Sequence, residues 1–354
     1  MTREQDHTKK IDVNAADAHQ ELTSPIGSMA FAKQDSSQHE VIQRKSKNFW
    51  QDAAYQIYKN KLALAGLIVM ILLGIMAWVG PLMNDHSFHA QNLDHKNLPP
   101  KVHALADIPF SPFDGLNKDG VDVYETRDIK EAYWFGTDNL GRDLWTRVWK
   151  GTQISVIIGL AASLIDLIIG VIYGSISGYV GGRVDTIMQR IVEILSSIPY
   201  LILVILLIVV MDAGLFTIIF ALAVLGWLGM SRIVRGQFLK LKNEEFVMAS
   251  RTLGASKGRL IFRHILPNTL GPIIVTLMFS IPGAIFSEAF LSFIGLGIPA
   301  PNASLGSLIN DGRKVLLLHP YQLMIPSLVL SVLILSFYLF GDGLRDAFDP
   351  KMRD

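Results

Sequence analysis

The sequence predicts an all-α, polytopic membrane protein with six transmembrane helices, on three observations. Six runs of mostly apolar residues recur along the 354-residue chain, most of them near the roughly 20 residues that a helix needs to cross the hydrocarbon. Only 18% of the residues are charged while 50% are hydrophobic, against about a quarter charged in an ordinary soluble domain. The charges that remain collect between the runs.

The chain begins polar. MTREQDHTKKIDVNAADAHQ holds neither the apolar stretch of a secretory signal nor a small-residue cleavage site after one. Residues 1–46, rich in Gln, Asp, Lys, Ser and His, offer too little apolar surface to offset ordering entropy and read as a disordered cytoplasmic tail. In residues 47–61, Phe49, Ala53 and Ile57 recur every fourth position, flanked by Trp50, Ala54 and Tyr58, with Lys59 and Lys61 at the end. That pattern reads as a helix lying on the inner leaflet and feeding into the first span, with a plain extension of the span as the alternative.

The apolar runs are 62–83, 154–178, 191–211, 215–230, 270–297 and 321–341. Pro199, Pro282 and Pro326 fall inside the third, fifth and sixth, where each removes a backbone hydrogen bond and favours a kink. Gly159, Gly170, Gly174 and Gly178 in the second suit close helix contact. With the N-terminus inside, the inner segments hold 22 Lys and Arg and the outer segments 10, which places both termini in the cytoplasm.

Between the first two runs lies a long outer segment, 84–151. Its His86, His89, His95 and His103 match no strong metal-ligand spacing and no cysteine exists to help, so the segment reads as a solvated loop with no metal. Trp134, Trp145 and Trp149 with Arg142, Arg147 and Lys150 have the makeup of an interfacial belt at the outer surface. The absence of cysteine also removes disulfides and thiolate catalysis. A net charge of +1 gives no basic excess for a nucleic-acid partner.

Between the fourth and fifth runs the stretch NEEFVMASRTLGASKGRLIFRHILPN carries charges that a span would not tolerate. Asn243 is placed to cap a helix whose first turn holds Glu244 and Glu245, and Phe246, Ala249 or Ser250, and Leu253 follow at helical spacing. Gly254 stops that helix and Ser256 caps a second one running toward Pro267. The small residues about the turn let another protein approach the backbone; a solvated loop is the plainer reading. Inside the runs, Asp166, Glu193 and Glu288 are expensive in hydrocarbon and read as candidates for a translocation path. Asp166 also fits an interhelical hydrogen bond that fixes packing, or a proton relay. No clustered catalytic groups and no hydrolase signature occur, and no Gly-x-x-x-x-Gly-Lys-Ser/Thr loop that would cradle phosphates.

The hairpin resembles the Glu-Ala-Ala loop of ABC importer permeases. Met248, Ala249, Ser250, Gly254, His264, Leu266 and Pro267 stand at the motif positions, with Ala249, Gly254, Leu266 and Pro267 matching and the Glu, second Ala and Ile replaced. FGTDNLGRDLWTRVWKGTQISVIIGL (135–160), SEAFLSFIGLGIPAPNASLG (287–306) and GDGLRDAFDPKMR (341–353) are similar to stretches of the peptide-importer branch, specifically its second, C-type permease. The resemblance runs from about residue 49 to the C-terminus. It implies the type I importer permease fold, with a permease core at 152–345, a coupling hairpin at 243–266 between spans four and five, and a cytoplasmic C-terminus at 346–354. It further implies an oligopeptide importer in a bacterial cell membrane, with dipeptide and nickel importers as near relatives. Ala249, Ser250, Leu253, Gly254, Ala255 and Ser256 would then couple to two cytosolic ATP-binding subunits. A homologous second permease, an extracytoplasmic peptide-binding protein and membrane lipid would complete the partners. This chain would be a non-catalytic subunit binding no cofactor, with ATP and Mg used by its partners. A self-contained secondary transporter is the other class; it calls for an inverted repeat, and none stands out.

Overall fold

The computed structural model describes residues 49–102, 112–117 and 119–348. The expected tail at 1–46, His103, and the final residues 349–354 lie outside the described residues. Every regular element in the described part is a helix, apart from isolated β-bridges in the outer segment.

Helix α1 (Phe49–Lys59) ends at Asn60, whose extended backbone and side chain, accepting from Leu62 N and Ala63 N at 3.2 Å, restart the chain as α2 (Lys61–Val79). The break separates the amphipathic segment from the span. Helix α2 passes into a 3₁₀ turn at Gly80–Leu82, and Trp145 Nε1 donates to Gly80 O at 2.8 Å.

The outer segment folds on itself through the bridges Lys101–Asp114, Leu116–Asp122 and Thr137–Asp143 and carries, among the described residues, a 3₁₀ turn at Leu93–His95 and one short α-helix, α3 (Val123–Thr126). Leu98, Tyr124 and Tyr133 form its small core. Tyr124 donates to Pro99 O at 2.8 Å, and burial pushes the Tyr124 and Tyr133 hydroxyls above the ordinary tyrosine range. His86 stacks on Tyr133 at 4.4 Å and His95 Nδ1 meets the Tyr133 hydroxyl at 2.7 Å, so these two histidines serve packing around one tyrosine.

Helix α4 (Leu144–Val180) starts ten residues before the apolar run that announces it, capped by Asp143 Oδ2 accepting from Thr146 N at 2.8 Å. It packs along α7 (Leu215–Leu241). A Cβ at Gly170 would stand 2.6 Å from Met230 Cβ, at Gly174 2.5 Å from Ser231 O, and at Gly178 2.7 Å from Phe238 Cβ. The glycine stripe is therefore where two backbones meet, and the packing reading of it holds. Met230, Val234 and Phe238 of α7 share a buried cluster with Val247, Leu260, Ile265 and Ile273.

The third apolar run is not one straight span. Helix α5 (Gly182–Ser196) and α6 (Tyr200–Met211) meet at 79° across Ser197, Ile198 and Pro199. Proline has no N–H to donate and disfavours the helical region for the residue before it, so Pro199 breaks the helix where a kink was expected. At 12 residues, α6 is only about 18 Å long and too short to cross alone. Among the described residues five helices are long and apolar enough to span, six if the bent pair counts as one.

After α8 (Glu245–Thr252), α9 (Lys257–Arg259) runs through a π-helical turn, Leu260–Ile265, into α10 (Leu266–Phe293), making one continuous 37-residue stretch. The second arm of the hairpin is thus the beginning of the fifth span. Helix α11 (Leu305–Lys314) is capped by Ser304, which forms a reciprocal box with Ser307, and α12 (Tyr321–Phe348) closes the chain with Pro326 inside it. One end of the bundle gathers Ala63 against Gly343, Phe348 against Gly271, and the hairpin; the other gathers the outer segment and the 294–320 connection.

Candidate functional site

The hairpin is built as the spacing predicts, with one change. Helix α8 begins at Glu245 with Glu244 as its N-cap residue, and no side chain caps it; Asn243 lies one residue too early and is solvent-exposed. Leu253 ends the helix. Gly254 then takes φ +83°, a left-handed conformation that costs a β-carbon residue about 1–2 kcal/mol. Ser256 Oγ accepts from Arg259 N at 3.4 Å to start the second arm.

Burial divides the hairpin in two. Val247, Leu260 and Ile265 are at or below 1% exposure and anchor it to α7 and α10. Ala249, Gly254 and Ser256 face outward, Ser250 and Ala255 are half-buried, and Leu253 is 88% exposed at the tip. Phe246, Met248 and Phe262 add exposed apolar surface close in sequence. The six residues singled out at the turn therefore form one continuous, mostly open surface with an apolar tip.

Beside the hairpin, Arg235 Nε and Nη2 donate to Asp185 Oδ1 and Oδ2, both at 2.6 Å, and Lys242 Nζ donates to Gly178 O at 2.9 Å. These contacts lock the α4–α5 turn to the last turns of α7. Sequence reasoning missed them because Asp185 and Arg235 lie 50 residues apart.

The three acidic residues expected along a path do not converge. Asp166 of α4 is buried against α7 with Oδ1 unpartnered, packed so closely on Gly226 that any Cβ there would run into the carboxylate. Among the described residues, the interhelical hydrogen bond that its position invited is not made. Glu288 of α10 is 0% exposed and sits deep in the fold; its oxygens accept from Ser155 Oγ and Ser292 Oγ, each at 2.7 Å. Glu193 of α5 is exposed and paired with Arg190 one helical turn away at 2.6 Å. The three share no partner.

At the outer end, the expected belt is only partly a belt. Trp134 and Trp145 are half-buried and stack edge to face at 4.7 Å. Arg142 and Arg147, by contrast, are buried, because Asp138 Oδ2 accepts from Arg142 Nε at 2.7 Å and also from Arg147 Nη1. Asp138 Oδ1 meanwhile accepts from Leu140 N and Arg142 N, closing the TDNLGRD turn. A carboxylate four residues before an arginine could have flagged this turn; composition alone made the arginines look like surface anchors.

Comparison with known proteins places these features in a family. A family model described as the inner membrane component of binding-protein-dependent transport systems matches residues 170–354, and one described as the N-terminal transmembrane domain of oligopeptide transport permease C matches residues 48–100. The chain is 46% identical over 314 residues to the oligopeptide transport system permease protein OppC of Bacillus subtilis, covering 89% of this chain and 93% of the relative. It is 47% identical over 313 residues to the dipeptide transport system permease protein DppC of the same organism, covering 88% and 89%. With OppC of Haemophilus influenzae it shares 38% identity over 333 residues, covering 94% and 98%. The chain belongs to the binding-protein-dependent transport system inner membrane component family, as a non-catalytic, multi-pass permease component of an ABC transporter that works with ATPase and other transporter subunits.

Proposed function

We propose that this chain is a permease subunit of an ATP-driven importer of short peptides, that it forms half of the translocation path, and that the 243–266 hairpin receives the stroke of a cytosolic ATPase. The observation that carries the coupling role is the hairpin tip: Leu253 at 88% exposure beside Gly254 at φ +83°, a few residues before the Lys257–Phe293 stretch that runs on as a membrane helix. An apolar side chain held out on a small-residue turn fits insertion into a protein groove. The cytoplasmic placement of both termini is supported by the lysine and arginine excess at this end. A second permease, two ATP-binding subunits using ATP and Mg, and an external peptide-binding protein are the partners this reading requires. Asp166 and Glu288, both buried, fit the path better than Glu193, which faces outward.

The peptide class rests on relatives named for oligopeptide and for dipeptide transport at nearly equal identity, so a dipeptide importer is the second reading. Uptake of labelled peptide by cells with and without the chain, competed by pentapeptides, dipeptides and nickel ions, separates the two and tests the metal alternative. For the hairpin, Gly254→Trp in the assembled importer is expected to abolish peptide-dependent ATP hydrolysis with membrane insertion intact. Unchanged hydrolysis would sink the coupling role.

A further inference from the structure

A cavity of about 290 Å³ opens at the outer end of the bundle, walled by Arg142, Arg147, Ser292, Asn302, Asn310 and Asp311. Its two guanidiniums are only partly used by hydrogen bonds, although Asp311 on the wall also attracts Arg147. Both guanidiniums lean on the same Asp138 oxygen, each making a single hydrogen bond there, while the other Asp138 oxygen is occupied by two backbone N–H groups. Among the described residues, the Arg147 Nε is buried with no hydrogen-bond partner. Asp311 is engaged by Lys314 Nζ at 3.0 Å, and both Glu288 oxygens behind Ser292 are held by hydroxyls.

Two cations at 7% and 4% side-chain exposure thus share one carboxylate. A guanidinium carries five donors in a planar fork that matches a carboxylate, and each of these two spends only one of them on Asp138. The cavity holds a chain end rather than a whole peptide. It lies between the start of α4, the end of α10 and α11, at the end of the bundle that the lysine and arginine count assigns to the outside.

We propose that this cavity is an anion site that receives the C-terminal carboxylate of an incoming peptide, held by Arg142 and Arg147. The proposal rests on the peptide-importer reading. Every peptide carries this group whatever its side chains, so the site orients substrate without selecting sequence.

The test uses the complete importer in proteoliposomes with its binding protein, and compares Arg147→Gln with the wild-type complex on one peptide as free acid and as C-terminal amide. Comparing each peptide with itself cancels any preference of the binding protein. Loss of a charge-assisted contact predicts that uptake of the free acid falls about 10-fold or more while the amide changes less than about 2-fold. An amidated peptide ending in Glu distinguishes a terminal from a side-chain carboxylate: sensitivity to the variant widens the site to either source. Equal loss on acid and amide, or no loss on either, overturns the proposal. Should Arg147→Gln fail to assemble, Asn310→Asp decides, because it adds a carboxylate to the wall from outside the Asp138 network and should give the same selective loss. A wild-type complex that moves neither peptide would instead refute the importer reading, leaving the two failures distinct.

Discussion

Arg235 of α7 grips Asp185 of α5 at two points, Nε on Oδ1 and Nη2 on Oδ2, each at 2.6 Å, while Ser177 Oγ donates to Asp185 Oδ1 at 2.5 Å. Three helices meet at one carboxylate next to the hairpin. Replacing the arginine leaves Asp185, at 14% exposure, without its cation. Arg235→Ala is expected to destabilise the detergent-solubilised protein by about 1–3 kcal/mol. Arg235→Lys should recover only part of that, since an ammonium cannot reproduce the fork. A double-mutant cycle with Asp185→Asn, read by thermal unfolding, should return a coupling energy; a coupling near zero contradicts the pairing.

Gly226 leaves no room between α7 and the Asp166 carboxylate. Gly226→Ala should overpack this contact, at a cost of about 1–3 kcal/mol. Asp166→Ala in the same chain should relieve it, because the clashing oxygens are gone. Monodispersity by size-exclusion chromatography after mild heating checks both, and failure of the second substitution to rescue the first would contradict the geometry.

Gly174 supports the same helix pair a few turns along, with its missing Cβ 2.5 Å from Ser231 O. Because the neighbour is backbone, no side-chain rotation relieves the contact. Gly174→Leu should therefore lower the melting temperature more than Gly229→Leu, where nothing lies within 4 Å. Equal shifts at the two positions would show that helix propensity, not contact, governs.

The outer segment should be acid-sensitive through Asp122. Burial alone would raise its carboxyl, but hydrogen bonds from Lys101 and from the Glu125 and Tyr124 amides hold it below the ordinary value of 3.8. A depressed carboxylate contributes stability that is complete above its unfolded value and fades as pH falls through the lower folded value. Protease resistance of the 84–143 segment should hold at pH 5 and above and drop below about pH 4. In Asp122→Asn this pH step should shrink; an unaltered step would assign it to other carboxylates.

Much of the architecture was legible because a lipid-facing helix writes its length into the chain as an unbroken apolar run: the first span ends within one residue of expectation and the last starts where expected, although its helix runs on past residue 341 to Phe348. The hairpin was legible for a related reason: Gly254 and Ser256 act locally, through a positive φ and a cap, and local chemistry is visible in a window of a few residues. Pro199 was visible too, but whether a proline kinks or breaks a helix depends on what the following segment packs against, and that is tertiary. Glu288 and Ser155 stand 133 residues apart, so nothing near Glu288 in the sequence announces the hydroxyls that permit its burial. Arg142 and Arg147 misled composition for a similar reason, since the carboxylate that takes them indoors is one residue, not a trend.

The unbroken run from Lys257 to Phe293 makes the hairpin one end of a rod about 55 Å long. Such a rod does not dissipate a push where it is applied. Its compliance is confined to the π turn at Leu260–Ile265 and to Pro272 and Pro282, where ladder hydrogen bonds are altered or missing. A small sideways step at Ser256 must reappear beyond these joints as a tilt of the segment that holds Glu288 and Ser292. Under the proposed coupling role, work delivered at the hairpin would thereby be felt as a change in the shape of the cavity walled by Ser292, within a single stretch of backbone.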